Sequence, residues 1–266
     1  MDIKPKAFDD SVSVDSYDVI STSASANSEP SFPESKQECC ATVLSRIREI
    51  VSFDFTPSSV TPIVNSCAAA LPAAEFSDLL QQPDIEDHTA LYWAIIKHRP
   101  EVLWAFIKYI LKFSRVCLSD MRLACAIVSD QIMFARLNLG RTINPKVGSV
   151  RCFLGCPPDK IHVYGGNGVG NNKFVVSFRF RMFQTRLRIA QELAVEFVAA
   201  GRIWVLCFYV GPEGMWRVEY GLSKHSLPVY PAAVFVIKAH RGPPDCVTPA
   251  PLRLEMTSPC TLVPNG

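Results

Sequence analysis

The spacing of apolar residues changes near Gly140, and this change constrains the fold more than any other feature of the sequence. Before it, apolar side chains recur every three or four residues, as in Val43, Ile47 and Ile50, which is the repeat of an amphipathic helix. After it, residues 174–181 place Phe or Val at every second position, which is the repeat of a half-buried strand. The sequence therefore predicts an α+β fold in which a helical part precedes a β-rich part.

Composition and charge divide the chain further. Of the 266 residues, 48% are hydrophobic and 20% are charged, which suffices for one large core or two smaller ones. Residues 1–38 are rich in Ser and contain eight acidic but only three basic residues, so we expect a disordered tail. We predict an ankyrin-like helical domain at 39–148, an antiparallel β-sandwich at 149–242 and an irregular Pro-rich tail at 243–266.

The segment from Asp87 to Ile107 carries the clearest local signal. Thr89 is placed to cap one short helix and Pro100 to open a second, which predicts an antiparallel helical hairpin. The segment resembles an ankyrin repeat, in which Ala90, Tyr92 and His98 replace the usual Pro, His and Gly. The motif positions that match are Asp87, Thr89, Leu91, Ala94, Glu101, Val102, Phe106 and Ile107.

Two weaker copies of this pattern begin at Thr61 and Ser119, which lie 28 and 30 residues from Thr89. They imply a degenerate stack of helical hairpins, covered at one end by a helix that starts near Cys39, because such repeats bury their faces only against neighbours. An unrelated helical bundle is the alternative.

The stretches ALYWAII, SDMRLAC, FQTRLRIA and AGRIWVL also resemble a family of uncharacterised proteins from mushroom-forming fungi. The resemblance covers most of the chain beyond the N-terminal tail. It implies the same two-part organisation and brings no known activity.

The β-rich part contains several apolar segments separated by Gly and Pro turns. Residues 187–197 alternate like a strand, although their Ala and Glu content would also suit a helix, and Ile203–Val210 reads as a central strand. Further strands are predicted at 216–222 and 233–238. This spacing favours an antiparallel sandwich.

The leading functional hypothesis is a non-enzymatic protein-interaction module that binds through the helical surface or an exposed sheet edge. Tyr92, Trp93 and Trp104 are the candidate contact residues, because aromatic side chains are favoured at the centres of interfaces. The same side chains would also suit the core.

A second hypothesis is binding of nucleic acid or another polyanion by the β-rich part. Residues 151–241 contain twelve basic and five acidic residues, and four arginines follow one another closely: Arg179, Arg181, Arg186 and Arg188. On one strand pair they would share an outer face and could contact phosphate. A solvated sheet face is the plainer interpretation.

Catalytic signals are weak, and a hydrolase-like enzyme is the third hypothesis. The glycines at 165–170 lack the following helix that a phosphate-binding loop needs, so we interpret the stretch as a turn between strands. Cys152 and Cys156, with His162 nearby, lack the second ligand pair that structural zinc usually has. We therefore predict no cofactor, no metal and no small-molecule substrate.

The cysteines and the chain start indicate a compartment. Five of the ten cysteines lie in apolar runs, where a thiol behaves as a small hydrophobe: Cys39, Cys67, Cys117, Cys125 and Cys207. The first residues contain no apolar signal segment, and Ile203–Val210 is too short to span a bilayer. We expect an intracellular protein, cytoplasmic or nuclear, without membrane association.

Overall fold

The structure, a computed structural model, describes residues 34–52, 60–140, 145–165, 173–224, 226–238, 250–257 and 261–264. Among these residues helices come first and antiparallel strands follow, so the predicted α+β class is confirmed. The predicted tail lies outside the described residues up to position 33. Its last positions belong to the first helix, which begins at Glu34 rather than at Cys39.

Seven helices of the described chain form the N-terminal part. They are α1 (Glu34–Val51), α2 (Thr61–Ala69), α3 (Ala73–Gln81), α4 (Ala90–Ile96), α5 (Pro100–Ile107), α6 (Arg115–Ile127) and α7 (Gln131–Arg136). Their inner faces share one core, which includes Ile47, Leu80, Leu91, Phe106 and Met121. Helices this short depend on such packing, because they are unstable alone in water.

The helical hairpin predicted at 87–107 is present as α4 and α5. Thr89 caps α4, since its Oγ1 accepts a hydrogen bond from the Tyr92 N–H at 3.2 Å. The helix α5 begins at Pro100, as predicted. Both boundaries follow from local chemistry, and the relationship to ankyrin repeats stays a prediction.

The two weaker copies begin elsewhere than predicted. Ser114 caps α6 by accepting a hydrogen bond from the Cys117 N–H at 3.1 Å, so Ser119 lies inside this helix. Thr61 is already the first residue of α2, and no side chain caps that helix. The regular spacing of Thr61, Thr89 and Ser119 therefore does not mark equivalent positions.

The turns after α4, α6 and α7 share one backbone geometry. His98, Ser129 and Asn138 have left-handed φ angles of 51°, 54° and 51°. After each, the next N–H donates to a carbonyl five residues back, as in Arg99 N to Ala94 O at 2.8 Å. This is the Schellman helix ending, in which Gly is the usual left-handed residue, so all three turns carry backbone strain.

The C-terminal part contains small antiparallel sheets and two further helices. Its elements are α8 (Pro145–Phe153), β1 (Lys160–Gly165), β2 (Phe174–Arg179), α9 (Phe183–Ala190), β3 (Glu192–Ala199), β4 (Arg202–Val210), β5 (Trp216–Leu222), β6 (Ala232–Ile237) and β7 (Leu252–Thr257). The strands pair as β1–β2, β3–β4–β5 and β6–β7. The predicted single β-sandwich is not confirmed, because the described strands form three small sheets.

The strand predicted at 187–197 is wrong in its first half. Residues Phe183–Ala190 form α9, and β3 begins only at Glu192. Phe183, Leu187 and Ala190 are spaced four and three residues apart and turn inward together, which is helical spacing. The alternating pattern hid this, because Arg186 and Arg188 fall at every second position.

Two predicted boundaries also change. The division at 148/149 falls inside α8, which packs against α9 and so belongs with the C-terminal part. The tail predicted as irregular from 243 contains β7, which pairs with β6 in the register Ala232 to Thr257. An apolar side chain at every second position, as at Leu252, Leu254 and Met256, accounts for this strand.

The β1–β2 ribbon packs one face on the three-stranded sheet. Phe174 contacts Phe197 and Trp204 with ring centroids 6.4 and 5.4 Å apart, and Phe178 contacts Phe197 at 5.3 Å. Residues 166–172 of the Gly-rich stretch lie outside the described residues. The strand β2 begins at Phe174 just after it, as predicted.

A buried ion pair joins the helical part to the sheet. Arg122 on α6 donates from Nη1 and Nη2 to the two carboxylate oxygens of Glu196 on β3, at 2.7 and 2.9 Å. The side chains are 6% and 2% exposed. Arg122 also donates to the Leu139 carbonyl and, at 2.9 Å, to Ser223 Oγ, so the guanidinium is paired in a site closed to water.

Candidate functional site

A polar network ties α4 to α6 at the start of the helical hairpin. Asp120 on α6 accepts hydrogen bonds from the Thr89 N–H at 2.7 Å and from Thr89 Oγ1 at 2.8 Å. Its other oxygen lies 2.6 Å from His88 Nδ1. This carboxylate therefore fixes the helix cap of Thr89 as well as the His88 ring, and it links two consecutive helical pairs.

The candidate aromatic residues Tyr92 and Trp93 pack around this network. The Tyr92 ring is 7% exposed and stacks on His88 with centroids 3.7 Å apart. Burial, and then the Asp120 charge, raises the pKa of Tyr92. Trp93 is half-buried, and its Nε1–H donates to the Ile85 carbonyl at 2.8 Å. Both side chains thus support the hairpin, and only Trp93 retains a partly exposed ring.

The third candidate, Trp104, lies on α5 and has different neighbours. The guanidinium of Arg136 on α7 lies 4.8 Å from the centre of its ring, a cation–π distance. The ring is half-buried. Trp104 therefore connects α5 to α7, whereas Tyr92 and Trp93 surround His88.

An apolar stripe that sequence reasoning missed runs along the outer side of α6. Val116, Leu123 and Ile127 are spaced seven and four residues apart, so they follow one face of the helix. Val116 and Ile127 are 58% and 53% exposed, and Leu123 is half-buried. The sequence does contain this pattern: the three apolar positions follow a face of α6 next to the one that holds the core positions Cys117 and Met121.

This stripe continues into a groove between α6 and the turn that precedes α4. The groove has a volume of ≈310 Å³. It is lined by Pro83, Asp87, Val116, Ser119, Asp120 and Leu123. Glu86 and Asp87 in the turn have left-handed φ angles of 51° and 62°, and both are exposed. The groove therefore has apolar walls with carboxylates at its edge, and we call it the α6 groove.

The four candidate arginines do not form the single cluster that we predicted. Arg186 is 1% exposed on α9, and its two terminal nitrogens donate to Asp159 at 2.6 and 2.8 Å. Its Nε has no partner among the described residues. Arg179 on β2, Arg181 after it and Arg188 on α9 are exposed. The prediction fails for Arg186 because α9 turns this residue inward to bind Asp159.

The outer face of the β1–β2 ribbon carries a different set of side chains. They lie in three cross-strand pairs: Lys160 with Arg179, His162 with Ser177, and Tyr164 with Val175. All six are exposed, and Tyr164 and Val175 are 60% and 66% exposed. We call these six residues the ribbon face. Its cations are Lys160 and Arg179, and none of its members is acidic.

The described cysteines differ sharply in environment. Burial, assisted by nearby carboxylates, raises the pKa of Cys117, Cys125 and Cys207 to about 12, so these thiols are protonated at neutral pH. Cys152 is exposed. In the part of the chain that the structure describes, no three His, Cys, Asp or Glu side chains are grouped to hold a metal.

Comparison with known proteins adds no assignment, since no family model, curated protein or solved structure matches the chain. None of the described helices combines the length and the apolar character that crossing a membrane requires. The geometry described above thus supplies the candidate sites, which are the α6 groove and the ribbon face.

Proposed function

We propose that the protein is a non-enzymatic protein-interaction module that binds a partner segment in the α6 groove. The observation that carries the proposal is the exposed apolar stripe of α6, which continues into a groove bordered by carboxylates. An exposed apolar stripe at helical spacing costs solvation free energy that a partner would recover by covering it.

The chemistry of the groove defines the partner. Val116 and Leu123 offer an apolar wall, which suits a short segment with apolar side chains on one face. Asp87 lies exposed at the edge, whereas the oxygens of Asp120 already bind Thr89 and His88. A Lys or Arg of the partner would therefore pair with Asp87, and with Glu86 beside it, rather than with Asp120.

Rigidity supports the same role. Asp120 fixes both the turn before α4 and the body of α6, so the two walls of the groove are held together before any partner arrives. Binding to a preformed site avoids much of the entropy cost of ordering it. The left-handed conformations of Glu86 and Asp87 fix the path of this turn, in which Asp87 lines the groove.

A random peptide library displayed on phage tests the proposal without a known partner. The purified full chain is the bait, and the Val116→Asp variant is used for counter-selection. We expect enriched peptides that combine apolar side chains with a Lys or Arg, and that bind Val116→Asp at least tenfold more weakly. The Asp87→Lys variant should lose the peptides with basic residues.

Leu111→Asp is the matched control, because Leu111 is 72% exposed and lies outside the groove. It should bind the selected peptides like the unmodified protein. The proposal is wrong if no peptide is enriched, or if the enriched peptides bind Val116→Asp and the unmodified chain equally well.

A further inference from the structure

We propose that the ribbon face binds single-stranded nucleic acid. This site is separate from the α6 groove and goes beyond the proposed function. The first observation is the pairing of Lys160 directly opposite Arg179 on β1 and β2. Like charges in directly opposed positions destabilise an antiparallel pair, and a bound phosphate would convert this repulsion into a shared attraction.

The second observation is the absence of compensation within the face. Neither Lys160 nor Arg179 has a described ion pair, and the acid next to β1, Asp159, is occupied by Arg186. The buried Arg186 thus already pairs with Asp159, the carboxylate that directly precedes Lys160 in the chain. The two exposed cations remain on the surface as a site for an anion.

The third observation selects the kind of polyanion. Tyr164 lies four residues after Lys160 on β1, so its side chain projects from the same face of the strand. This side chain is 60% exposed. Its neighbour across the strands is Val175, which is 66% exposed and adds no charge. At about 3.4 Å per residue the ring lies about 14 Å along the strand from Lys160.

An aromatic ring on the same sheet face as two cations, about 14 Å along the strand from Lys160, is suited to unpaired bases. Bases of a single strand stack on exposed rings whatever their sequence, while the backbone phosphates contact the cations. In a duplex the bases are already stacked on one another, and a purely acidic chain such as polyglutamate has no ring to stack on Tyr164. A single strand is therefore the ligand that uses both features.

Fluorescence anisotropy of the full chain with a labelled oligothymidylate of about 20 nucleotides tests this site. Two phosphate contacts predict that affinity falls about sevenfold between about 50 and 200 mM salt. In Lys160→Gln with Arg179→Gln this salt dependence should flatten by about 1.4 in the log–log slope. The control that removes the same charge elsewhere is Lys224→Gln with Lys238→Gln, since both lysines are exposed.

Tyr164→Ala should weaken binding about fivefold or more, because one stacked base is lost. Its control is Tyr230→Ala, which removes a ring that is 75% exposed on another part of the surface and should leave affinity unchanged. Tyr164→Trp should retain binding.

Lys160→Glu separates binding from folding. It places opposite charges in register with Arg179, so the thermal midpoint should stay constant or rise while binding is lost. The proposal is overturned if Tyr164→Ala binds like the unmodified chain, or if the Gln pair leaves the salt dependence unaltered. Tighter binding of a duplex, or equal competition by polyglutamate, would overturn it too.

Discussion

Replacing Glu196 by Gln is the sharpest test of how the two parts of the molecule are joined. Glutamine has almost the shape of glutamate, but it removes the charge and turns one acceptor oxygen into an NH₂ donor that faces the Arg122 guanidinium. Both hydrogen bonds between Arg122 and Glu196, at 2.7 and 2.9 Å, end on that carboxylate. The substitution therefore leaves Arg122 charged, 6% exposed and without a counter-ion.

The expected loss follows from the burial of this pair. Removing one partner of a buried ion pair costs about 3–5 kcal/mol, because the other charge stays desolvated. Arg122 keeps its bonds to the Leu139 carbonyl and Ser223, which places the expected loss near the lower limit, at about 3 kcal/mol. A loss of this size is a large part of the roughly 5–15 kcal/mol by which a typical domain is stabilised.

Urea unfolding followed by tryptophan fluorescence measures this loss. The double variant Arg122→Met with Glu196→Leu should recover most of the free energy of unfolding, since no buried charge is left unpaired. Glu255→Gln is the surface control: Glu255 pairs with Arg253, both are more than 60% exposed, and the change should stay within about 0.5 kcal/mol. A loss below about 1 kcal/mol for Glu196→Gln would refute this account of the junction.

Four further expectations use the same purified chain. His98→Gly should raise the free energy of unfolding by about 1 kcal/mol, because the exposed His98 occupies a left-handed turn that favours Gly; urea unfolding measures it, and a loss of stability would contradict it. Asp159→Asn should lower that free energy by about 3 kcal/mol, because it leaves the buried charge of Arg186 without its counter-ion. An unchanged free energy of unfolding would show that the pair is dispensable. Cys117, whose pKa burial and Asp120 raise from 9.0 to about 12, should react with iodoacetamide at pH 8 far more slowly than the exposed Cys152, as peptide mass spectrometry would show. Equal labelling of the two cysteines would contradict this. Because the unfolded thiol ionises at a lower pH than the folded one, the free energy of unfolding should also fall as the pH rises from 9.0 toward 12, and a constant value in urea unfolding over that range would refute this point.

Local chemistry made part of the fold predictable. The hydroxyl of Thr89 and the fixed φ angle of Pro100 determine helix starts within a few residues, and the structure confirms both. The alternation in 174–180 likewise predicted β2. In each case the deciding interaction lies within one turn or one strand, where a sequence pattern records it directly.

Other features depend on partners far along the chain. Arg122 and Glu196 are 74 residues apart, and neither stands out in its own segment. Arg186 looked like a surface cation because its partner, Asp159, lies 27 residues away. The α6 stripe was visible in principle, but only the structure shows that no described element covers Val116.

The candidate sites also depend on contacts between separate elements. Tyr92 and Trp93 were chosen for their residue type, and the structure uses them mainly to surround His88. The ribbon face required the register of β1 and β2, because only pairing shows that Lys160 meets Arg179. A single arginine of the predicted cluster, Arg179, belongs to that face.

The β3–β4 hairpin reaches into the helical part, where Val198 and Ile203 complete its core and the Val198 N–H donates to Gln131 Oε1 at 2.7 Å. During synthesis the helices leave the ribosome before this hairpin exists. Until the hairpin is made, α7 has no strand packed against it, and Arg122 has no carboxylate with which to pair. The core of the helical part is therefore completed only after this hairpin has been made, and we expect the two parts to gain stability together rather than as two independent units.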